Sequence, residues 1–247
     1  MNEIDHRSRA APITGALAAG VLAAHAIPAL AGLSRDDGRP VLPALRTALG
    51  VEDRTHDRRG FQLTFDDGPH PEGTPAVLEV LARHGVRATF FLVGERVRHA
   101  PALVGELLAA GHELGLHCDR HRNLLRLTPG QVAEDLARAE DAIAAAAGRT
   151  VTLYRPPYGV LNAAALVLAR RRGWRTLLWR RWGQDWQAGA TPEGIAARVS
   201  RAASPGDVLL LHDGDDYSAP GSWRRTAAAL PLVLEQLARD GLEPSPA

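Results

Sequence analysis

The sequence predicts an α/β fold in which a parallel sheet curls into a barrel beneath covering helices. Two patterns point to it. Short apolar runs of strand length alternate with longer stretches of helical periodicity. About six such β-then-α units follow one another, which favours a barrel over an open sheet. Size agrees: 247 residues at 45% hydrophobic content can bury one substantial core, and α/β barrels of this length form single domains.

The chain opens with Arg7 and Arg9, followed by an uncharged, Ala-rich run from Ala10 to Leu33 that is interrupted by His25 and Pro28. Its length is close to the roughly 20 residues that cross a bilayer, and Ala24-His25-Ala26 has the small-residue character of a cleavage site. Signal peptide, uncleaved anchor and packed helix are the three readings of residues 1–33, so membrane association and secretion stand beside a cytoplasmic location. Residues 34–60 turn polar, with Asp36-Asp37-Gly38-Arg39-Pro40 and a charged stretch from Glu52 to Arg59, and read as a linker or lid. A catalytic domain is expected over 61–247.

Within it, Phe61 to Phe65, Ala88 to Val93, Glu113 to His117, Val151 to Tyr154, Thr176 to Trp179 and Val208 to His212 read as strands. Helix signals fall between them. Thr74 reads as the cap of a helix through Val77, Leu78 and Leu81 that stops at Gly85, and a second runs through Leu103 and Leu107 to Gly111. Thr128-Pro129 opens an Ala-rich helix ending at Gly148, and Thr191-Pro192-Glu193 repeats that opening. Lys plus Arg number 29 against 28 for Asp plus Glu, so a net charge of +1 builds no field to gather nucleic acid. The single cysteine, Cys118, excludes an internal disulfide and decides nothing about redox compartment.

In βα barrels the reactive side chains gather where the loops leave the C-terminal ends of the strands. The polar exceptions of this sequence sit there. Asp66 and Asp67 close the first strand before Gly68-Pro69, and adjacent residues point different ways, so one carboxylate can ligate a metal while the other stays free as a base. His117 and His121, four apart, share a face if the backbone coils into a helical turn, and an Asp on a neighbouring strand end completes a three-ligand site. Two imidazoles and a carboxylate suit zinc, cobalt or iron, with zinc the default. Pro156 and Pro157 lack N–H groups, which leaves the Tyr158 amide as the next donor in a rigid loop. His212 ends the last strand, where core packing and catalysis are both open readings.

Thr64-Phe65-Asp66-Asp67-Gly68-Pro69, the His117/His121 pair, Arg155-Pro156-Pro157-Tyr158-Gly159 and Leu210-Leu211-His212-Asp213 together resemble, in order and spacing, the polysaccharide deacetylases. This family is also called the NodB-homology domain or carbohydrate esterase family four. The resemblance runs from Phe61 to about the C-terminus and implies a distorted (β/α) barrel of seven or fewer strands, a divalent metal, and hydrolysis of the acetamide of N-acetylhexosamines. It implies Asp67, His117 and His121 as metal ligands and Asp66 as general base. His212 becomes the acid, kept charged by Asp185. Arg155 holds Asp66 through a forked hydrogen bond, Tyr158 N–H faces the oxyanion, and Trp186 and Leu210 wall the acetyl pocket.

Three positions depart from the pattern. Cys118 replaces Ser or Thr, Arg122 replaces Pro and is expected to face a substrate subsite, and Trp182 stands where Asp is usual. The expected partner is an N-acetylated glycan of the peptidoglycan or chitin type. An amidase acting on a small N-acyl metabolite, or a sugar-binding protein with weak catalysis, are the alternatives, and sequence alone leaves oligomeric state open.

Overall fold

The computed structural model describes residues 25–55 and 60–245. Its strands are β1 (Val51–Glu52), β2 (Gly60–Asp66), β3 (Thr89–Val93), β4 (Glu113–Cys118), β5 (Leu153–Tyr154), β6 (Arg175–Leu177), β7 (Arg181–Trp182), β8 (Val208–His212) and β9 (Glu243–Pro244). Every pairing is parallel, in the order β1-β6-β5-β4-β3-β2-β8-β7, with β9 against β2. The path does not close, so the sheet is a curled half-barrel, the distorted barrel expected, with eight strands along the path where the resemblance implies seven or fewer. The central strands are apolar on both faces, as a parallel sheet covered by helices requires: β3 is buried at all five positions and β8 at four of five.

The helices are α1 (Pro43–Ala48), α2 (Gly73–His84), α3 (Gly94–His99), α4 (Pro101–Ala109), α5 (Pro129–Ala147), α6 (Ala163–Arg172), α7 (Pro192–Ser200) and α8 (Ser222–Arg239). Thr128 caps α5 in a reciprocal box with Gln131, and Thr191 caps α7 through Gly194 N–H, as their Thr-Pro openings predict. Thr74 does not cap α2. The helix starts at Gly73 with Glu72 in the cap position, and the amides of Glu72 and Gly73 donate to His70 Nδ1. The Thr74 hydroxyl is instead committed to Asp213.

The run expected as a strand from Thr176 to Trp179 divides in two. Leu178 N–H still donates to Glu52 O beside β1, but Arg180 N–H donates to Val208 O, so the chain leaves one neighbour and joins the other, re-forming a strand at Arg181. Residues ahead of Phe61 also join the sheet, since β1 pairs with β6. Arg46, 2% exposed, fastens this segment by donating to Ala31 O, Trp179 O, Ser34 Oγ and Asp53. A guanidinium buried with fewer partners would be costly.

Most of the apolar N-terminal run, residues 10–24, lies outside the described residues. Its end forms a 3-10 turn, Ile27–Gly32, with Ile27, Leu30 and nearby Leu33 exposed. Among the described residues no helix is long and apolar enough to cross a membrane.

Candidate active site

The C-terminal ends of β2, β4 and β8 meet around one pocket of about 230 Å³. Asp66, Asp67, His117, His121, Tyr158, Trp186, Leu210 and His212 all line it. Arg155 and Asp185, both 0% exposed, stand behind that wall.

The split between the two adjacent carboxylates is a backbone effect. Asp66 is the last residue of β2 and is the register partner of Phe91 and His212 on the strands either side. Asp67 then takes φ 80°, a left-handed conformation that Asp tolerates better than most residues, and swings its carboxylate away from its neighbour's. Asp67 Oδ1 comes within 3.6 Å of His117 Nε2 and 3.4 Å of His121 Nε2. One donor atom from each of the three residues lies within 4.8 Å of the others, the span of a shared metal ion.

The two histidines do not sit on a helical turn. His117 is still in β4, and a bend at Asp119-Arg120 brings His121 back beside it, with ring centroids 5.2 Å apart. That bend is staked from outside: Asp119 N–H donates to Asp135 of α5, and Arg98 of α3 pairs with the Asp119 carboxylate at 2.6 Å. Arg122 lines a neighbouring cleft, and its guanidinium is tied to Asp135 at 2.6 Å and so helps hold the bend.

The donor set fits a cation. Asp67 Oδ1 is buried with no hydrogen-bond donor among the described residues, a costly state for a carboxylate oxygen unless a positive ion faces it. His117 Nδ1 lies 2.7 Å from Arg155 O, which sets the N–H on that side and leaves the Nε2 lone pair toward Asp67. Burial pushes the Asp67 carboxyl up to about 7 and both His117 and His121 down to about 3, so the imidazoles are neutral donors.

Asp66 is held off this triad by Arg155. The expected fork is absent: only Nη1 reaches it, at 2.7 Å to Oδ1, while the same nitrogen donates to Thr64 Oγ1 and the rest of the guanidinium to Leu177 O and Leu178 O. The carbonyls claim those donors because β6 ends beneath the guanidinium. His212, the register partner of Asp66 on β8, lines the same pocket. Asp185 accepts its backbone N–H at 2.7 Å, meets its Nδ1 at 3.0 Å and accepts a third bond from Thr226. Burial opposes the charge on His212, but the Asp185 contact more than reverses this and pushes its pKa up to about 10.

Tyr158 follows its two prolines with φ 59°, and its N–H has no acceptor among the described residues. Leu210 and Trp186 floor the pocket, with the Trp186 ring edge-on to His212 at 5.3 Å between centroids. Trp182 joins that wall, packed between Trp179 and Trp186 and anchored through Nε1 to Asp36 O, so the departure from Asp adds apolar surface. Cys118 is fully buried and its thiol is pushed well above the usual range, which marks a small core side chain.

Sequence reasoning passed over Tyr217, whose ring stacks on His121 at 4.5 Å while its hydroxyl donates to Glu95. It lies in an acidic loop of ordinary composition, where no local signal marks it. Trp223 is buried, packed against His70 and under the Arg224 guanidinium.

Residues 53–177 match the family model for polysaccharide deacetylase. The chain belongs to the polysaccharide deacetylase family. A peptidoglycan-N-acetylglucosamine deacetylase of Bacillus cereus is 36% identical over 72% of this chain and 82% of its own length. A chitooligosaccharide deacetylase of a Bradyrhizobium species is 35% identical over 76% and 89%. Among solved structures, a peptidoglycan N-acetylglucosamine deacetylase bound to a naphthalenyl N-oxidanyl-benzamide superposes with a TM-score of 0.73 at 29% identity, covering 79% of this chain and 89% of that one. These polysaccharide deacetylases are metal-dependent enzymes, and the Asp67, His117 and His121 cluster is where this chain could hold the ion.

Proposed function

We propose that the chain hydrolyses the N-acetyl amide of N-acetylhexosamine residues in a glycan of the peptidoglycan or chitin class, releasing acetate and a free amine. One observation carries the reading. A carboxylate kept off the metal-type triad, Asp66, shares a single pocket with a carboxylate-backed histidine, His212, and with Asp67, His117 and His121. A protein that only bound sugar would have no use for a base and an acid gathered in one pocket.

Asp67, His117 and His121 would hold the ion, for which zinc is the proposed choice and cobalt a competent substitute. When bound, it would polarise the amide carbonyl and lower the pKa of water toward about 7. Asp66, its carboxylate oriented by Arg155, takes a proton from the attacking water as the oxygen bonds to the amide carbon. Charge then develops on the former carbonyl oxygen, and the free Tyr158 N–H donates to it, a contribution of roughly 3 kcal/mol per donor in other hydrolases. His212, held protonated by Asp185, delivers its proton to the amide nitrogen as the C–N bond breaks. Trp186 and Leu210 enclose the acetyl methyl group and exclude water from it.

Acetate release measured over peptidoglycan, chitooligosaccharides, acetylxylan and small N-acetyl metabolites, with metal supplied, tests the reading. Turnover of N-acetylated glycans is expected. Turnover of the small metabolites alone would favour the amidase alternative instead.

A further inference from the structure

A second cleft of about 520 Å³ opens beside the reaction pocket, lined by His121, Arg122, Asn123, Arg126, Leu127 and Tyr158. His121 and Tyr158 belong to both, so a glycan with one sugar over the triad continues into this cleft with the next. Among the described residues no carboxylate lines it. Its two arginines differ in commitment. Arg122 is tied to Asp135, whereas Arg126, exposed at the end of the 3-10 turn Leu124–Arg126, has no acidic partner among the described residues. Asn123 spends its side-chain oxygen on Leu125 N–H, which leaves its amide hydrogens free to donate.

We propose that this cleft is a subsite for a carboxylate carried by the sugar next to the one deacetylated, with Arg126 as its charge partner and the Asn123 amide as second donor. The inference rests on the deacetylase reading above and names the feature that would separate acidic from neutral glycans. A guanidinium fork matches a carboxylate in plane and spacing, and an uncommitted one has no internal pair to break before binding.

The test compares kcat/KM for acetate release from three substrates of equal length: neutral chitooligosaccharides, peptide-free N-acetylglucosamine–N-acetylmuramic acid oligomers, and the same oligomers bearing peptide. Arg126→Ala should lower the value for the peptide-free acidic oligomer about tenfold, mainly through KM, and that for the neutral oligomer less than about twofold. Arg126→Lys should recover part of the loss and Arg126→Glu deepen it, and added salt should shrink the wild-type preference. Equal effects on acidic and neutral glycans, or no effect on either, would overturn the subsite. A loss confined to the peptide-bearing oligomer would move the carboxylate onto the peptide and end the assignment to the sugar. A wild-type enzyme that releases acetate from none of the glycans would end the deacetylase reading itself, and the subsite with it.

Discussion

Replacing Asp185 with Asn separates the electrostatic role of that residue from simple packing. Asp185 is fully buried and accepts from His212 N–H, His212 Nδ1 and Thr226 Oγ1. Asn keeps the volume but removes the charge and exchanges one acceptor for a donor. With its amide N–H toward His212 Nδ1, it favours a neutral imidazole that carries its proton on Nε2 and gives it up poorly. His212 titrates at about 10 in the wild type, chiefly through Asp185 once burial is overcome, with Asp66 and Asp67 adding to the rise. Without the Asp185 charge the main support of the raised value is gone, and burial draws the pKa back toward the ordinary imidazole value of about 6.5. At pH 8 a group of pKa 10 is almost fully protonated and one of pKa 6.5 about 3% so, which gives a loss of about 30-fold in the proton-donating form. The loss grows about tenfold for each further pH unit toward the wild-type pKa and largely disappears near pH 5.5. The assay is kcat/KM for acetate release as a function of pH, with metal content checked in parallel. A uniform loss that leaves the alkaline limb of the profile unmoved would refute the electrostatic account and leave Asp185 a packing residue.

Asp66→Asn should abolish acetate release while bound metal, measured by elemental analysis, stays at the wild-type level, whereas His117→Ala should lose both; equal metal loss would overturn the division of roles. Exhaustive chelation should remove activity and zinc or cobalt restore it, and full activity in the chelated protein would contradict the metal assignment. Arg155→Met should cost about 3–5 kcal/mol in denaturant unfolding, because Asp66 loses its buried charge partner. The double variant with Asp66→Asn should cost less than the two single losses combined, and simple additivity would refute the coupling. For wild-type stability, the raised pKa of His212 means that its contribution is complete below pH 6.5 and is lost as pH rises through about 10. Asp185→Asn should therefore flatten that alkaline decline in thermal unfolding scans.

Much of the site was legible because its residues fall at the ends of apolar runs, where a charged side chain is costly without a task. Asp66, Asp67, His117 and His212 could be placed at strand ends from periodicity alone, and the caps of α5 and α7 from their Thr-Pro openings. What failed were inferences that borrowed regular geometry for irregular backbone. The His117/His121 spacing suggested a helical turn, but a strand end followed by a bend meets the same constraint, and spacing cannot tell them apart. The fork expected of Arg155 was lost to carbonyls at the end of β6, 22 and 23 residues further along the chain. Thr74 carried a capping signature that His70 and Asp213 together overrode.

The sequence by itself determined the α/β class, the strands that carry the chemistry and the residue types at their ends, because burial and periodicity act within a few residues. Only the tertiary structure decided which of those ends meet. The β2–β8 register set Asp66 beside His212. The left-handed turn at Asp67 parted two adjacent carboxylates into separate roles. The bend between His117 and His121 takes its shape from Asp135 and Arg98, on two separate helices. The open side between β1 and β7 is bordered by a segment fastened through the buried guanidinium of Arg46. The Arg46 bond to Trp179 O alone joins residues 133 positions apart, and no local preference of the chain encodes a distance of that kind.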